Sequence, residues 1–289
     1  MAVAAVVVTY NRRALLTACL AALRAQTRPL DRIIVVDNAS EDGTAALLRA
    51  EPPPVQPLLL DANVGATGGF CEGMQAGLAA GADWLWLLDD DTIPRPDALE
   101  RLLAAADRTP GPRPLVLVSR VVWRDGRAHP MNLPILRRRD VCGMVEGAAR
   151  GVLPLRAGSW VSMLVARVAV ERYGMPARHF FFQADDIEYT ARVLRHEPGY
   201  AVPDSVAEHR TKTPHDALSD PDDRRFYYHA RNTLYMLRGR AWAPHEKPQL
   251  GWVLVSSAGR YLRANRCSPG SAATVLRAVR DGLRRLPAG

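Results

Sequence analysis

The chain has 289 residues, 48% hydrophobic and 24% charged, the profile of a globular protein with one large α/β domain or two smaller ones. Its net charge of +8 is uneven: from Arg224 onward 13 Lys and Arg face only Glu246 and Asp281, a local +11, while residues 1–223 carry −3. With no RNA or DNA motif to go with that charge, nucleic acid is not an expected partner, and no apolar run approaches the roughly 18 residues of a membrane span.

Residues 4–9, 32–36, 55–60, 84–88 and 115–122 are short apolar runs that read as strands. Between them, residues 14–26, 43–50, 69–80 and 97–106 have helical apolar spacing with turn residues at their ends. This alternation predicts an α/β fold, a mostly parallel sheet with helices on both faces and ligands at the carboxyl ends of the strands. Beyond Val122, Arg124-Asp125-Gly126-Arg127 predicts a hairpin turn, and the Pro-, Arg- and Gly-rich residues 129–156 read as loop with short strands. Then come a strand at 159–166, a helix at 185–196, a strand at 201–208, and a Thr-, Pro-, His- and Asp-rich segment at 211–223 placed near the site. Three helices, 224–237, 249–262 and 271–286, form a helical C-terminal extension. In the last, Val275, Leu276, Val279, Leu283 and Leu286 share one face and Arg277, Arg280, Arg284 and Arg285 the other. That pattern suits either a helix lying on an anionic membrane or one docked on its own protein.

Four polar signals end four successive elements of the N-terminal half: Thr9-Tyr10-Asn11-Arg12, Asp37-Asn38-Ala39-Ser40, residues 63–70, and Asp89-Asp90-Asp91. Three adjacent carboxylates after the run Trp84-Leu85-Trp86-Leu87-Leu88 repel one another and call for a cation. Mg²⁺ or Mn²⁺ prefers such oxygens and keeps positions for water and phosphate. The alternative is an acidic turn with an Asp capping the helix near Asp97. Within residues 63–70, Gly65, Gly68 and Gly69 would let backbone amides approach an anion at a helix N-terminus. No GK[ST] follows, so this is not a Walker loop, and GxGxxG at the first strand–helix turn is absent.

These segments resemble the nucleotide-binding half of family-two inverting glycosyltransferases with the GT-A fold. Val6 through Arg12, Ile34 through Ser40, Asn63-Val64-Gly65 with Gly68-Gly69-Phe70, and Trp84 through Asp91 carry the likeness. Phe180-Phe181-Phe182-Gln183-Ala184-Asp185-Asp186-Ile187-Glu188-Tyr189 resembles the family's acceptor-side acidic motif, and His209, 23 residues beyond Asp186, falls where related enzymes place a metal-ligating histidine. The subfamily most similar is that of bacterial galactofuranosyltransferases and rhamnosyltransferases.

The resemblance implies a catalytic region at 1–223, divided near 122 into nucleotide-sugar-binding and acceptor-binding halves, with 224–289 as the extension. Thr9, Tyr10, Asn11, Arg12, Asp37, Asn38, Asn63, Gly68, Gly69, Asp89 and Asp90 would line the nucleotide sugar. Asp89, Asp91 and His209 would hold Mn²⁺ or Mg²⁺, with Asp90 equally readable as a structural carboxylate. Asp186 would be the general base that an inverting transfer requires, and Glu188 competes for that role. Asp185 would cap the helix or contact the acceptor, and Trp160 would stack on the acceptor sugar or belong to the core. Arg231 and Asn232 match a recurrent pattern of the subfamily without an evident mechanism.

The implied activity is transfer of a sugar, galactofuranose or rhamnose, from a UDP- or dTDP-sugar to a hydroxyl of a glycan, glycolipid or natural product. The alternative is a nucleotide-diphosphate-binding protein of the same fold without transferase activity. Cys19, Cys71, Cys142 and Cys267 show no CxxC pairing, and the first strand follows no basic leader. A cytoplasmic protein is therefore expected, peripheral on the inner face of the plasma membrane if the basic helices meet lipid.

Overall fold

The computed structural model describes residues 1–213 and 222–284. The first part alternates strand and helix: β1 (Val3–Thr9), α1 (Arg13–Arg24), β2 (Arg32–Asp37), α2 (Thr44–Ala50), β3 (Val55–Leu59), α3 (Gly65–Ala79) and β4 (Trp84–Asp89). After it come β5 (Thr92–Pro94), α4 (Ala98–Arg108), β6 (Val116–Val122), β7 (Ile135–Leu136), α5 (Val141–Ala149), β8 (Leu153–Ala157), β9 (Met163–Ala166) and α6 (Arg167–Tyr173). α7 (Asp185–Val193) and β10 (Gly199–His209) complete the sheet region, and α8 (Asp223–Arg238), α9 (Lys247–Ala264) and α10 (Pro269–Leu283) follow.

The strands form one sheet in the order β3-β2-β1-β4-β9-β6-β10-β8-β7, with β5 on β10. β1 is parallel to β2 and β4, β2 to β3, and β6 to β10, while β9 runs antiparallel between β4 and β6. Every residue of β1 is buried, as expected of a strand covered on both faces, and its Val- and Ala-rich sequence fits that position. A single large core of residues from β1, β2, β4, β6, β9, α1 and α4 fills the interior.

The expected elements are present with small changes of boundary, and some local expectations are revised. Residues 129–156 include a full helix, α5, whose first turn is capped by Asp140 accepting from the Gly143 amide at 2.9 Å. The glycine-rich segment is itself helical, since α3 begins at Gly65. A Cβ on Gly69 would stand 2.6 Å from Val8 Cγ1, one on Gly77 2.6 Å from Leu85 Cδ2, and one on Gly73 would collide with Val6. The glycines therefore let α3 lie close on β1 and β4. Asp97 makes no cap hydrogen bond and pairs instead with Arg101 at 3.1 Å, one turn along α4. The acidic triplet ends β4 and turns into β5, and caps no part of α4. The segment 211–223 lies largely outside the described residues, as does Leu286.

The extension is not a free appendage. Met236 of α8 and Leu250 of α9 join Phe180, Ala157 and Ala191 in one apolar cluster, and Phe226, Ala230, Tyr261 and Ala278 tie α8, α9 and α10 together in another. α10 docks by its small side: Ser271, Ala278 and Gly282 are buried, and a Cβ on Gly282 would sit 2.6 Å from Leu234 Cδ1. Leu276 and Leu283, expected to lead an apolar face, point to solvent at 70% and 59% exposure. No helix of the described residues is long and apolar enough to cross a membrane.

Candidate active site

Parallel pairing aligns the strand ends. Thr9 pairs with Asp37 across β1 and β2, and Val8 with Asp89 across β1 and β4, so the polar termini converge on one edge. The antiparallel pairing of β5 with β10 then sets His209 opposite Thr92, and the Arg210 amide donates to the Asp91 carbonyl at 2.9 Å. A histidine distant in sequence is thereby delivered to the acidic turn.

Asp89, Asp91 and His209 bring their ligand atoms within 4.8 Å of one another. His209 Nδ1 lies 2.8 Å from Asn132 Oδ1, and Asn132 Nδ2 donates to Ser159 Oγ at 3.1 Å. That chain of bonds makes Asn132 an acceptor, so Nδ1 carries the proton and Nε2 of the neutral ring keeps its lone pair. Nε2 stands 3.0 Å from Asp91 Oδ1, yet this buried oxygen has no aligned hydrogen-bond partner among the described residues. A gap this short between two buried ligand atoms suits a shared proton or a shared cation. Two carboxylates and an imidazole are also an acceptable donor set for Mn²⁺ or Mg²⁺. With no cation present the groups answer one another. Burial would lower the imidazole of His209, but Asp91 raises it, and Asp91 is in turn held below its usual range despite burial, by His209 and Arg12. Burial pushes Asp89 up to about 7, with Asp91 adding to the rise. A proton and a divalent ion compete for the same lone pairs here.

Asp90 faces the other way. It accepts from Thr9 Oγ1 at 2.8 Å and from Arg12 Nη1 at 3.2 Å, and burial raises it to about 6 against the pull of Arg12. Arg12 also bonds Asp91 Oδ2 at 2.9 Å, so one guanidinium offsets two of the three charges. Thr9 is thus buried and engaged with Asp90, and its hydroxyl is not offered to a ligand. Asn11, at φ 53°, locks two rim loops: its amide donates to Ser40 Oγ and its Oδ1 accepts from the Glu41 amide. Asp37 is buried and accepts from the Ser40 amide at 3.0 Å, while Tyr10 is 45% exposed on the rim.

The first turn of α3 is occupied by the protein. The Val64 amide donates to Asn38 Oδ1, the Gly65 amide to Asn63 Oδ1 at 2.8 Å, and the Thr67 amide to the Phe181 carbonyl. Asn38, Asn63, Gly68 and Gly69 therefore build the helix start and its seat on β1. These contacts revise the expectation that those amides are open to an anion.

Asp185 and Asp186 open α7, where the helix dipole favours anions. Asp185 is buried and accepts from Thr67 Oγ1 at 2.8 Å and Trp160 Nε1 at 3.0 Å. Trp160, 4% exposed, packs against Phe70 and Tyr189, which makes it a core residue that orients Asp185, with no open face for a sugar. Burial raises both carboxyls. Asp185 is the better stabilised anion because two donors hold it, and Asp186 is driven well above its usual value by burial, by Asp185 and by the charge of Asp89. Asp186 is half-buried, and the charge of Asp89 reaches it. Glu188, the competing base, is committed to Arg192 at 3.0 Å.

Sequence reasoning did not single out Asn132, Ser159 or Thr67. Thr67 sits inside a motif already identified, whereas Asn132 lies in a stretch with no periodicity or motif to mark it.

Comparison with known proteins adds the following. The profile described as glycosyl transferase family 2 matches residues 4–139. The galactofuranosyltransferase GlfT1 of Mycolicibacterium smegmatis is 30% identical over 276 residues, covering 88% of this chain and 90% of that protein. GlfT1 of Mycobacterium tuberculosis is 33% identical over 195 residues, covering 66% of this chain and 64% of that protein. The structure of S. aureus TarS 1–349 in complex with UDP matches with a TM-score of 0.65 at 15% identity, over 98% of this chain and 80% of that one. The mannosyltransferase PcManGT from Pyrobaculum calidifontis, in complex with GDP-Man and Mn²⁺, matches with a TM-score of 0.58 at 20% identity, over 98% and 81%. The two solved structures share the GT-A fold with this chain.

Proposed function

Because the chain belongs to glycosyl transferase family 2 and is a glycosyltransferase, we propose that it transfers galactofuranose from a UDP-sugar to a hydroxyl of a glycan or glycolipid, inverting the anomeric centre with the help of Mn²⁺ or Mg²⁺. The observation that carries the mechanism is the convergence of Asp89, Asp91 and His209 at the strand ends, within electrostatic reach of Asp186. The galactofuranosyltransferase named above, which parallels most of this chain, supports galactofuranose as the sugar, and the UDP bound by TarS supports a UDP carrier. The length of the galactofuranosyltransferase match also weighs against a nucleotide-binding protein without transferase activity.

Asp89, Asp91 and His209 would hold the ion. When bound, it supplies Lewis-acid stabilisation of the charge developing on the leaving diphosphate. Asp37 and Tyr10 would meet the base and ribose, one as a strand-end acceptor and the other as an open aromatic ring. Asp186 takes the proton from the acceptor hydroxyl as that oxygen attacks the anomeric carbon. Its raised pKa suits a base working near neutral pH. Asp185, Thr67 and Trp160 fix the start of α7 so that the carboxylate of Asp186 is aimed rather than mobile.

A panel of UDP-galactofuranose, UDP-GlcNAc and dTDP-rhamnose with Mn²⁺ tests the reading. UDP release from UDP-galactofuranose is expected, lost in Asp186→Asn with UDP binding intact. Turnover of dTDP-rhamnose alone would overturn the donor, and unchanged release in Asp186→Asn would overturn the base.

A membrane-peripheral position also belongs to this reading. Trp252 and Val255 on α9 and Leu276 and Leu283 on α10 are exposed, in the segment whose local charge is +11. Large apolar side chains among arginines suit an anionic bilayer surface and a lipid-linked acceptor. Co-sedimentation with phosphatidylglycerol vesicles but not phosphatidylcholine vesicles is expected, weakened by Trp252→Ser with Leu276→Ser. Equal recovery from both lipids would overturn it.

A further inference from the structure

The residues leading into Asp185 and Asp186 have an unusual backbone. Phe181, at φ 64° and ψ −49°, forms a γ-turn closed by the Phe182 amide on the Phe180 carbonyl at 2.7 Å, and Gln183 and Ala184 follow at φ 68° and 63°. Three of these four consecutive residues have positive φ and none is glycine, a conformation that persists only when its surroundings impose it.

What imposes it comes from α8, in the C-terminal extension. Asn232, fully buried, directs its Nδ2 at the carbonyls of Phe180, Phe182 and Gln183 at 3.1, 2.8 and 2.7 Å, two hydrogens serving three acceptors. Arg231 Nη2 donates to the carbonyls of His179 and Phe180 at 2.9 and 2.8 Å, and its Nε donates to Asn232 Oδ1 at 2.9 Å, fixing which way the amide faces. Tyr228 stacks on Phe181 with centroids 5.5 Å apart and lies 4.8 Å beneath the Arg231 guanidinium. From the opposite side, the Phe181 carbonyl receives the Thr67 amide, and Gly65 is pressed so close that a Cβ there would collide with it. The loop is thus gripped between the extension and the first turn of α3.

We infer that Arg231 and Asn232 are positioning residues that hold residues 180–184 in their strained form and so present Asp185 and Asp186 to the site. The extension is then part of the catalytic apparatus, acting through the loop and touching no substrate itself. This rests on the proposed role of Asp186, and it gives the adjacent Arg-Asn pair a mechanism. A carbonyl set this dense needs a planar, multiply donating partner, which arginine and asparagine supply and lysine does not.

The test uses the full chain with Asn232→Ala and Arg231→Lys, each also combined with Ala184→Gly, which relieves a positive-φ position. Expected are faster amide hydrogen exchange at residues 181–187, kcat for UDP release from UDP-galactofuranose lower by about 100-fold, the scale of a small misplacement, and unchanged binding of UDP with Mn²⁺. Ala184→Gly should restore part of the lost turnover. If Asn232→Ala does not fold, Arg231→Lys decides. Unchanged exchange at 181–187, or loss of UDP binding in parallel with kcat, overturns the inference. If instead Asp186 is not the base, Asp186→Asn retains turnover while the exchange changes in the Arg231 and Asn232 variants persist.

Discussion

Thr67 Oγ1 donates to Asp185 Oδ2 at 2.8 Å, a bond between the first turn of α3 and the first turn of α7. Both residues are buried, so the bond couples the two helix starts where water does not compete. Thr67→Val keeps the shape and removes the donor. Leaving a buried acceptor short of a partner costs about 1–3 kcal/mol, toward the lower end here because Trp160 Nε1 still donates to the same oxygen. The urea midpoint should fall accordingly, and an unchanged midpoint would show that the bond contributes nothing.

Asn132 should matter to the cation without touching it. Its Oδ1 takes the Nδ1 proton of His209, and losing such an outer partner weakens metal affinity about 10–100-fold. Asn132→Leu is expected to weaken Mn²⁺ binding by that factor, read by the electron paramagnetic resonance of free Mn²⁺. Asn132→Asp, still an acceptor, should retain most of the affinity. Equal weakening in both variants would refute the tautomer argument.

The acid limb of turnover should lie above the ordinary carboxylate range near pH 4. A base works only when deprotonated, so activity falls as pH drops through its pKa, and a raised pKa moves that fall upward. Burial and Asp185 raise Asp186 in this way. Asp89, near 7, could produce a similar limb. Saturating Mn²⁺ separates them, because the ion favours ionised Asp89 and would carry its limb down, whereas a limb set by Asp186 should fall only by the share that the Asp89 charge contributes and stay raised by burial and Asp185. A limb at pH 4 irrespective of Mn²⁺ would contradict the assignment.

The glycines of α3 should behave as packing residues. Gly69→Ala and Gly73→Ala each drive a methyl group into Val8 or Val6, and overpacking of this kind costs about 1–3 kcal/mol. Gly73 lies a turn away from the rim, so comparable losses of thermal stability at the two positions are expected. Loss at Gly69 confined to nucleotide binding would restore the anion-loop interpretation.

Arg156 ties the extension to the sheet. It is 6% exposed, bonds Glu246 at 2.7 Å, donates to the carbonyls of Ala191 and Ala241, and lies 4.5 Å over Trp242. Arg156→Met should destabilise by about 3 kcal/mol, since it strands buried acceptors. Burial acts to raise Glu246, but the bonds from Arg156 and the Ala243 amide hold it below its usual 4.5. A depressed acid stabilises the fold above its unfolded pKa, and that contribution is lost as pH falls through the folded value. Glu246→Gln should therefore lose less stability than the parent below about pH 4.5, as chemical denaturation at pH 3.5 and 6.5 would reveal.

The sequence by itself determined the strand–helix alternation, because burial on both faces writes itself as continuous apolar runs and amphipathic helices as 3.6-residue spacing. It also located the rim, since polar groups closing buried strands stand out from their surroundings, and it identified the segments that join the family. Only the tertiary structure decided what each rim residue faces. Asp90 turns to Thr9 and Arg12, Asn38 and Asn63 to the start of α3, and Trp160 to Asp185, while β10 carries His209 to Asp91 through its pairing with β5. Asn132 at His209 and Asn232 beneath Phe181 depend on contacts 77 and 50 or so residues apart in the chain. Local sequence encodes periodicity and propensity. Which side chain answers a buried polar group is fixed by the packing of elements remote in sequence, and no local pattern records it.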